Sequence, residues 1–384
     1  MDQRRYPGHS HWFYESQASP RASQTAPLVP AAAEVDDRFL LDLGQETSVP
    51  ASLLEASEPV LQIARELSQR LLPDALSTDL LHTLTLYDRL SVALTVAQVA
   101  GVQRLCNHYA ARLNPLPGPD SSRESNNRLT QITQYTRQLA TQPELITPEA
   151  LAALDAVGLS EPDIVTLNQL IGFVCYQARV VAGLQALMGF PVRWLPGMAT
   201  PPDADSAAFA VSTEWQPAIR PVELRYASSE QLAAITFCQA LPALQDAIWL
   251  LAQDAAALYG WAQLQLWLAQ QHTSPFMALA QAVSARINGS ARCFQHCQGE
   301  MRTALLAGVD QAAANLSDRE SATVIMLAAQ MTRAPERLSA AQLQPLTDAG
   351  WSQADCFALI QTVALANWNN RLFAALSKQS QSAR

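Results

Sequence analysis

The sequence predicts an all-α protein built from two similar helical blocks in tandem. Three observations carry that reading. Apolar residues recur at three- and four-residue spacing from about 50 to 186 and again from about 229 to 376. Alternating Val/Ile/Thr-rich runs with hairpin turns are missing. The blocks also repeat each other. SSRES at 121–125 matches SDRES at 317–321, and Pro143, Gly158, Asp163 and Arg179 pair with Pro335, Gly350, Asp355 and Arg371, each 192 residues on. Upstream the offset is 188, pairing Gly101 with Gly289 and His108 with His296.

Residues 1–48 are rich in Pro, Ser and Gln, with little periodicity, and are expected to form a polar arm, loose or folded back on the body. His9, His11 and Trp12 within it can bind a metal or reach over a pocket, although incidental histidines in a polar tail are the plainer reading. Residues 49–186 form the first helical domain, with VPASLLEASEPVLQIARELSQRL and LYDRLSVALTVAQVAGVQRLCNHYAARL as clear amphipathic stretches. Ser121-x-x-Glu124 and Ser317-x-x-Glu320 fit capping boxes. Ser160 with Asp163 and Ser352 with Asp355 fit helix starts, and Gly158 and Gly350 fit left-handed helix ends. Residues 187–228 are too rich in proline for helix and read as a connector. The second helical domain is assigned to 229–384.

Composition excludes several function classes. A net charge of -9 and the lack of any Lys/Arg-rich run argue against nucleic-acid binding, which needs a basic face. The amino terminus has no apolar signal region. The longest greasy stretch, LIGFVCYQARVVAGLQALMGF, is interrupted by Gln177, Arg179 and Gln185, and is expected to be a buried helix rather than a membrane span. Six cysteines scattered at 106, 175, 238, 293, 297 and 356 form no disulfide framework. A cytoplasmic setting, with no membrane partner, is expected.

Chemistry concentrates in NGSARCFQHC, Asn288 to Cys297. Asn-Gly breaks the preceding helix and Ser290 is a natural N-cap. Cys293 then falls at the third helical position, where the positive end of the helix dipole lowers a thiol's pKa. On a continuing helix His296 and Cys297 follow at i+3 and i+4 on the same face, and an imidazole there can pair with a thiolate or shuttle its proton. The bland alternative is a satisfied core histidine between two inert thiols. A zinc site is disfavoured, because no second Cys/His pair stands at metal spacing. In the first block, Cys106 and His108 lie at i, i+2 and point to opposite sides of a helix, which suggests a buried cysteine and a partly exposed histidine.

On these residues the sequence resembles the carboxymuconolactone decarboxylase / alkylhydroperoxidase D-like family. The family's hallmark is a Glu, then Cys-x-x-Cys twelve residues on, then x-x-x-His, at a helix start after an NGC-like turn. Asn288 and Gly289 match the turn and Cys293 the second cysteine, whereas Ser290 stands for the first cysteine, Cys297 for the histidine and Ala278 for the carboxylate. The downstream SDRESATVIMLAAQMTRAPERLSAAQLQPLTDAGWSQAD is also similar to the family's tail. The resemblance implies tandem alkylhydroperoxidase-D-like domains packed as a pseudo-dimer, with the amino-terminal copy degenerate. It further implies a thiol-dependent, peroxidase-like activity. Cys293 is then the nucleophile, His296 the proton shuttle and Cys297 a second thiol, with Ser290 and Arg371 as substrate-holding candidates; Arg371 can also stabilise the Cys293 thiolate, and a structural ion pair is its plainer role.

No cofactor or metal is called for. The expected partners are a small-molecule substrate (a peroxide, a disulfide or a related electrophile), an external thiol reductant and a second copy of the chain. The alternative is a catalytically degenerate member that binds a metabolite or serves as a scaffold. A cofactor-free decarboxylase or isomerase ranks last, because no general base is evident.

Overall fold

A computed structural model describes residues 32–192, 200–210, 215–241, 244–271 and 274–378. Of these, 71% are helical, and there is no strand; one isolated bridge joins Pro217 and Ser377. The fold is all-α. The amino half comprises α1 Ala51–Leu71, α2 Leu86–Ala100, α3 Gln103–Leu113, α4 Arg123–Thr141, α5 Pro148–Ala156 and α6 Glu161–Leu187. The carboxyl half comprises α7 Ser229–Cys238, α8 Gln245–Leu251, α9 Ala255–Gln271, α10 Pro275–Ile287, α11 Ala291–Phe294, α12 Gly299–Ala307, α13 Val309–Asn315, α14 Arg319–Arg333, α15 Ala340–Asp348 and α16 Gln353–Ala375.

Element order repeats across the halves. α4, a 3-10 turn at Pro143–Leu145, α5 and α6 correspond to α14, a 3-10 turn at Pro335–Arg337, α15 and α16. The long helices begin alike. Ser160 and Ser352 each cap with a reciprocal box through Asp163 and Asp355, after glycines held at φ 86° and 96°. The expected boxes at α4 and α14 differ in register. The caps are Ser122, accepting from the Ser125 amide, and Asp318, accepting from Glu320 and Ser321. The neighbouring Ser and Asp side chains reach the free amides better than Ser121 and Ser317 do.

α6 and α16 pack against each other at the centre, and their side chains exchange partners reciprocally. Trp368 Nε1 donates to Gln169 Oε1 at 3.0 Å, while Tyr176 of α6 donates to Gln361 of α16. A Cβ on Gly172 would come within 1.9 Å of the Trp368 ring, and one on Gly183 within 2.3 Å of Ile360. The two helices therefore touch as closely as the absence of side chains at these glycines permits. α6 is long and apolar enough to cross a membrane, but 89% of its apolar window is buried inside the fold. Its polar interruptions are explained by partners: Gln177 Nε2 donates to the backbone carbonyls of Arg38 and Phe39 at 2.8 and 2.9 Å.

That contact settles the described part of the arm. Phe39, Leu40 and Leu43 are fully buried, with Phe39 against Phe173 and Tyr176. Burying such side chains contributes roughly 1.5–3 kcal/mol each, enough to hold this segment down. His9, His11 and Trp12 lie outside the described residues. The described residues of the connector after α6 contain no α-helix and include 3-10 turns at Ser206–Phe209 and Leu224–Tyr226. It is pinned where Arg333 grips Asp203 through two bonds of 2.7 and 2.6 Å.

Candidate functional site: a thiol-lined cleft in the carboxyl half

α10 ends at Ile287, and the Asn-Gly turn follows because its groups are tied down on both sides. The buried Asn288 amide donates to Asn367 Oδ1 at 3.0 Å, and Gly289 takes φ 71° with its α-carbon against Glu144 of the other half. The Ser290 amide bonds back to the Ala285 carbonyl at 3.0 Å. α11 then starts as the sequence suggests, with Cys293 as its third residue, but it lasts a single turn. Arg302 of α12 reaches back to the carbonyls of Phe294 and Cys297 at 3.2 and 3.4 Å, its guanidinium over the Phe294 ring. Gly299, at φ 68°, is the first residue of α12. His296 and Cys297 therefore lie in the turn after α11 and not on a continuing helical face.

The structure nevertheless brings Cys293, His296 and Cys297 to one cleft of about 490 Å³. Its walls come from α10 (Pro275, Phe276, Ala278), from Met301 of α12, and from Asp318 and Ser321 at the start of α14. His296 is exposed and the two thiols are half-buried. No thiol–imidazole hydrogen bond forms among the described residues. Ala278, the position that the resemblance assigns to a carboxylate, lines the same cleft.

The electrostatics run against the expected activation. Part of Cys293 faces the cleft, but its surroundings are packed densely enough that burial pushes the thiol up to about 11; the Ser290 hydroxyl and the Arg292 charge oppose this only weakly. A one-turn helix carries little dipole to counter the cost of desolvation. Cys297 is shifted the same way, by burial, with Arg302 opposing. At neutral pH both thiols are protonated at rest.

The two assigned substrate residues, Ser290 and Arg371, do not line the cleft. Ser290 makes no side-chain cap, and its hydroxyl is buried without a hydrogen-bond partner of good geometry. Arg371 is 1% exposed and faces a different, central cavity lined also by Arg179 and Asn288. It forms no ion pair; its bonds go to the Asn367 carbonyl and side chain and to the Ala140 carbonyl. What it does for the cleft is indirect, because Asn367 bonds both Arg371 and the Asn288 side chain that precedes the cysteine turn. Sequence reading placed Asn288 in the turn without its bond to Asn367, and gave no role to Asn367 or Arg302. The visible signal was Gly299, a helix breaker two residues past Cys297.

The first block offers no second copy of the cleft. Leu105 and Tyr109, equivalent to Cys293 and Cys297, are core residues, and Tyr109 hydrogen-bonds Gln177. The Cys106/His108 expectation is reversed. His108 is the buried one, its Nδ1 2.7 Å from the Ala32 carbonyl, and burial lowers its pKa to about 4; Cys106 is half-buried. The arm covers the ring, which a helical wheel cannot anticipate. Among the described residues no three His, Cys, Asp or Glu side chains gather as a metal site requires. Compared with models of known protein families and with curated proteins, the chain has no significant match.

Proposed function

We propose that the chain is a thiol-dependent oxidoreductase of peroxidase-related type, a tandem alkylhydroperoxidase-D-like protein whose working centre is the cleft of the carboxyl half. The observation that supports it is the convergence of Cys293, His296 and Cys297 on one solvent-reached cavity, although α11 ends before the last two. The Cys293 sulfur attacks the distal oxygen of a peroxide, becoming a sulfenic acid as the other oxygen leaves, with a proton, as water or alcohol. Condensation with Cys297 or an external thiol forms a disulfide and releases water, and an external thiol reductant returns both electrons. A disulfide between 293 and 297 does not have to strain a continuous helix, because α11 stops at Phe294. His296 is the imidazole on the cleft that can accept the thiol proton. A cytoplasmic homodimer with one active and one structural half completes this reading.

A second reading has its own support. Ala278 in the carboxylate position and a resting thiol near 11 favour a degenerate member that binds a soft, mostly apolar metabolite in the same cleft. One experiment separates them. Stoichiometric organic peroxide is added at neutral pH and dimedone trapping of Cys293 is followed by mass spectrometry, with the Cys293→Ser variant as control. Trapping at Cys293 faster than at the buried Cys238 supports the oxidoreductase, and trapping no faster leaves the binder.

A further inference from the structure

Two guanidinium ions are buried where the halves meet, and among the described residues neither forms a salt bridge with a carboxylate. Arg179 and Arg371 are 3% and 1% exposed, and both line the same cavity, of about 50 Å³. Their hydrogen bonds all end on neutral oxygens: Arg179 on the carbonyls of Cys175 and Thr332, Arg371 on those of Asn367 and Ala140 and on Asn367 Oδ1. The Nε–H of each arginine has no acceptor. Buried charge is ordinarily paired, and an orphaned buried donor costs about 1–3 kcal/mol.

Other charges do not resolve the imbalance. Arg333 also lines the cavity, but Asp203 and Asp310 neutralise it. Glu336 is near enough to act on Arg179, and Glu144 on Arg371, but among the described residues no salt bridge joins either pair, and burial raises both carboxyls. The polar lining is completed by Asn288, Thr141 and Thr332.

We propose that this cavity is a binding site for a small monovalent anion, of the size of chloride, nitrate or formate, held between Arg179 and Arg371 where the two halves meet. The two orphaned Nε–H groups and the doubled positive charge supply the recognition, and the volume sets the size. A water needs roughly 10–15 Å³ by the same measure, so a halide fits and a phosphorylated metabolite does not. Desolvation and the neighbouring Arg371 charge pull Arg179 down to about 9, which is the strain an anion relieves. The site is separate from the cysteine cleft and does not depend on its chemistry.

The test uses the full chain, purified free of halide. Thermal unfolding is followed in sodium chloride and in sodium gluconate at matched ionic strength, and crystals soaked in bromide are examined for anomalous signal. The expected result is a melting temperature a few degrees higher in chloride, saturating with concentration, and a bromide peak between the two guanidinium groups. In Arg179→Met the difference between the salts disappears. Equal stability in both salts with no bromide in the cavity overturns the proposal. A chloride effect that persists undiminished in Arg179→Met, with bromide only on the surface, overturns it as well. The bromide map needs no variant, so a misfolded Arg179→Met leaves the proposal open to refutation.

Discussion

Arg179 and Arg371, 192 residues apart, brace the two halves against each other: Arg179 donates to the Thr332 carbonyl at 2.8 Å and Arg371 to the Ala140 carbonyl at 2.8 Å. The two acceptors are themselves 192 residues apart, so one bond is the image of the other. A symmetric pair of cross-bonds buried in a helix interface holds relative orientation more than it adds bulk stability. Its removal bares a buried carbonyl on the opposite half. Arg179→Met is therefore expected to lower unfolding free energy by about 1–3 kcal/mol in urea titration, part of the loss being offset by removal of an unpaired charge. An unchanged midpoint would show that the brace contributes nothing.

Gly172 is the tightest point of that interface, with the Trp368 ring occupying the space of a side chain. Gly172→Ala gains helix propensity of about 1 kcal/mol but forces a buried indole out of place. A net loss of roughly 3 kcal/mol is expected by chemical denaturation, partly recovered when Trp368→Leu is added. A neutral Gly172→Ala would refute the packing described.

His108 sets acid sensitivity. Its folded-state pKa lies near 4, against an ordinary 6.5, because the ring is buried and neutral. The unfolded chain takes the proton first, so the stabilising contribution is complete above 6.5 and declines as pH falls toward 4. The full swing amounts to about 3 kcal/mol. His108→Gln is expected to flatten the fall in stability between pH 6.5 and 4, measured as urea midpoints across that range.

Cys293 predicts the opposite dependence. A thiol raised from 9.0 to about 11 holds its proton longer in the folded state, so its contribution is present below 9 and vanishes as pH rises toward 11. Iodoacetamide labelling at Cys293 should keep accelerating past pH 9 instead of levelling off. A plateau near pH 7 would mean that the thiolate is favoured after all.

The register of the cleft against the peroxidase pattern can be tested by restoration. Ala278→Glu with Cys297→His places a carboxylate and an imidazole where the resemblance puts them, both on the cavity that Cys293 lines. Organic peroxide consumption with a dithiol reductant is expected to rise on the order of tenfold or more. No gain in a folded double variant counts against that alignment.

Much of the scaffold was legible because it depends on local rules. Ser160, Ser352, Gly158 and Gly350 announce helix boundaries through capping and backbone chirality, which act over four residues. The match of Arg179 with Arg371 was likewise visible, but not its meaning, since each arginine's acceptor lies more than 150 residues away. The site was legible as a cluster and not as a geometry. NGSARC does start a helix at the expected place. Its length was decided by Arg302 and Gly299 downstream, and the thiol's proton affinity by packing that no dipole argument contains. His108 was misjudged because the element covering it comes from the arm, far from its own helix.

The indole of Trp368 seated over Gly172 also bears on descent. A socket cut in one half to the outline of a ring in the other makes the halves lock and key, so drift at either position must be answered at its counterpart. A half borrowed from another chain would arrive with the wrong key. The amino-terminal half, with Leu105 and Tyr109 where the carboxyl half carries Cys293 and Cys297, is thereby bound to its counterpart by shape.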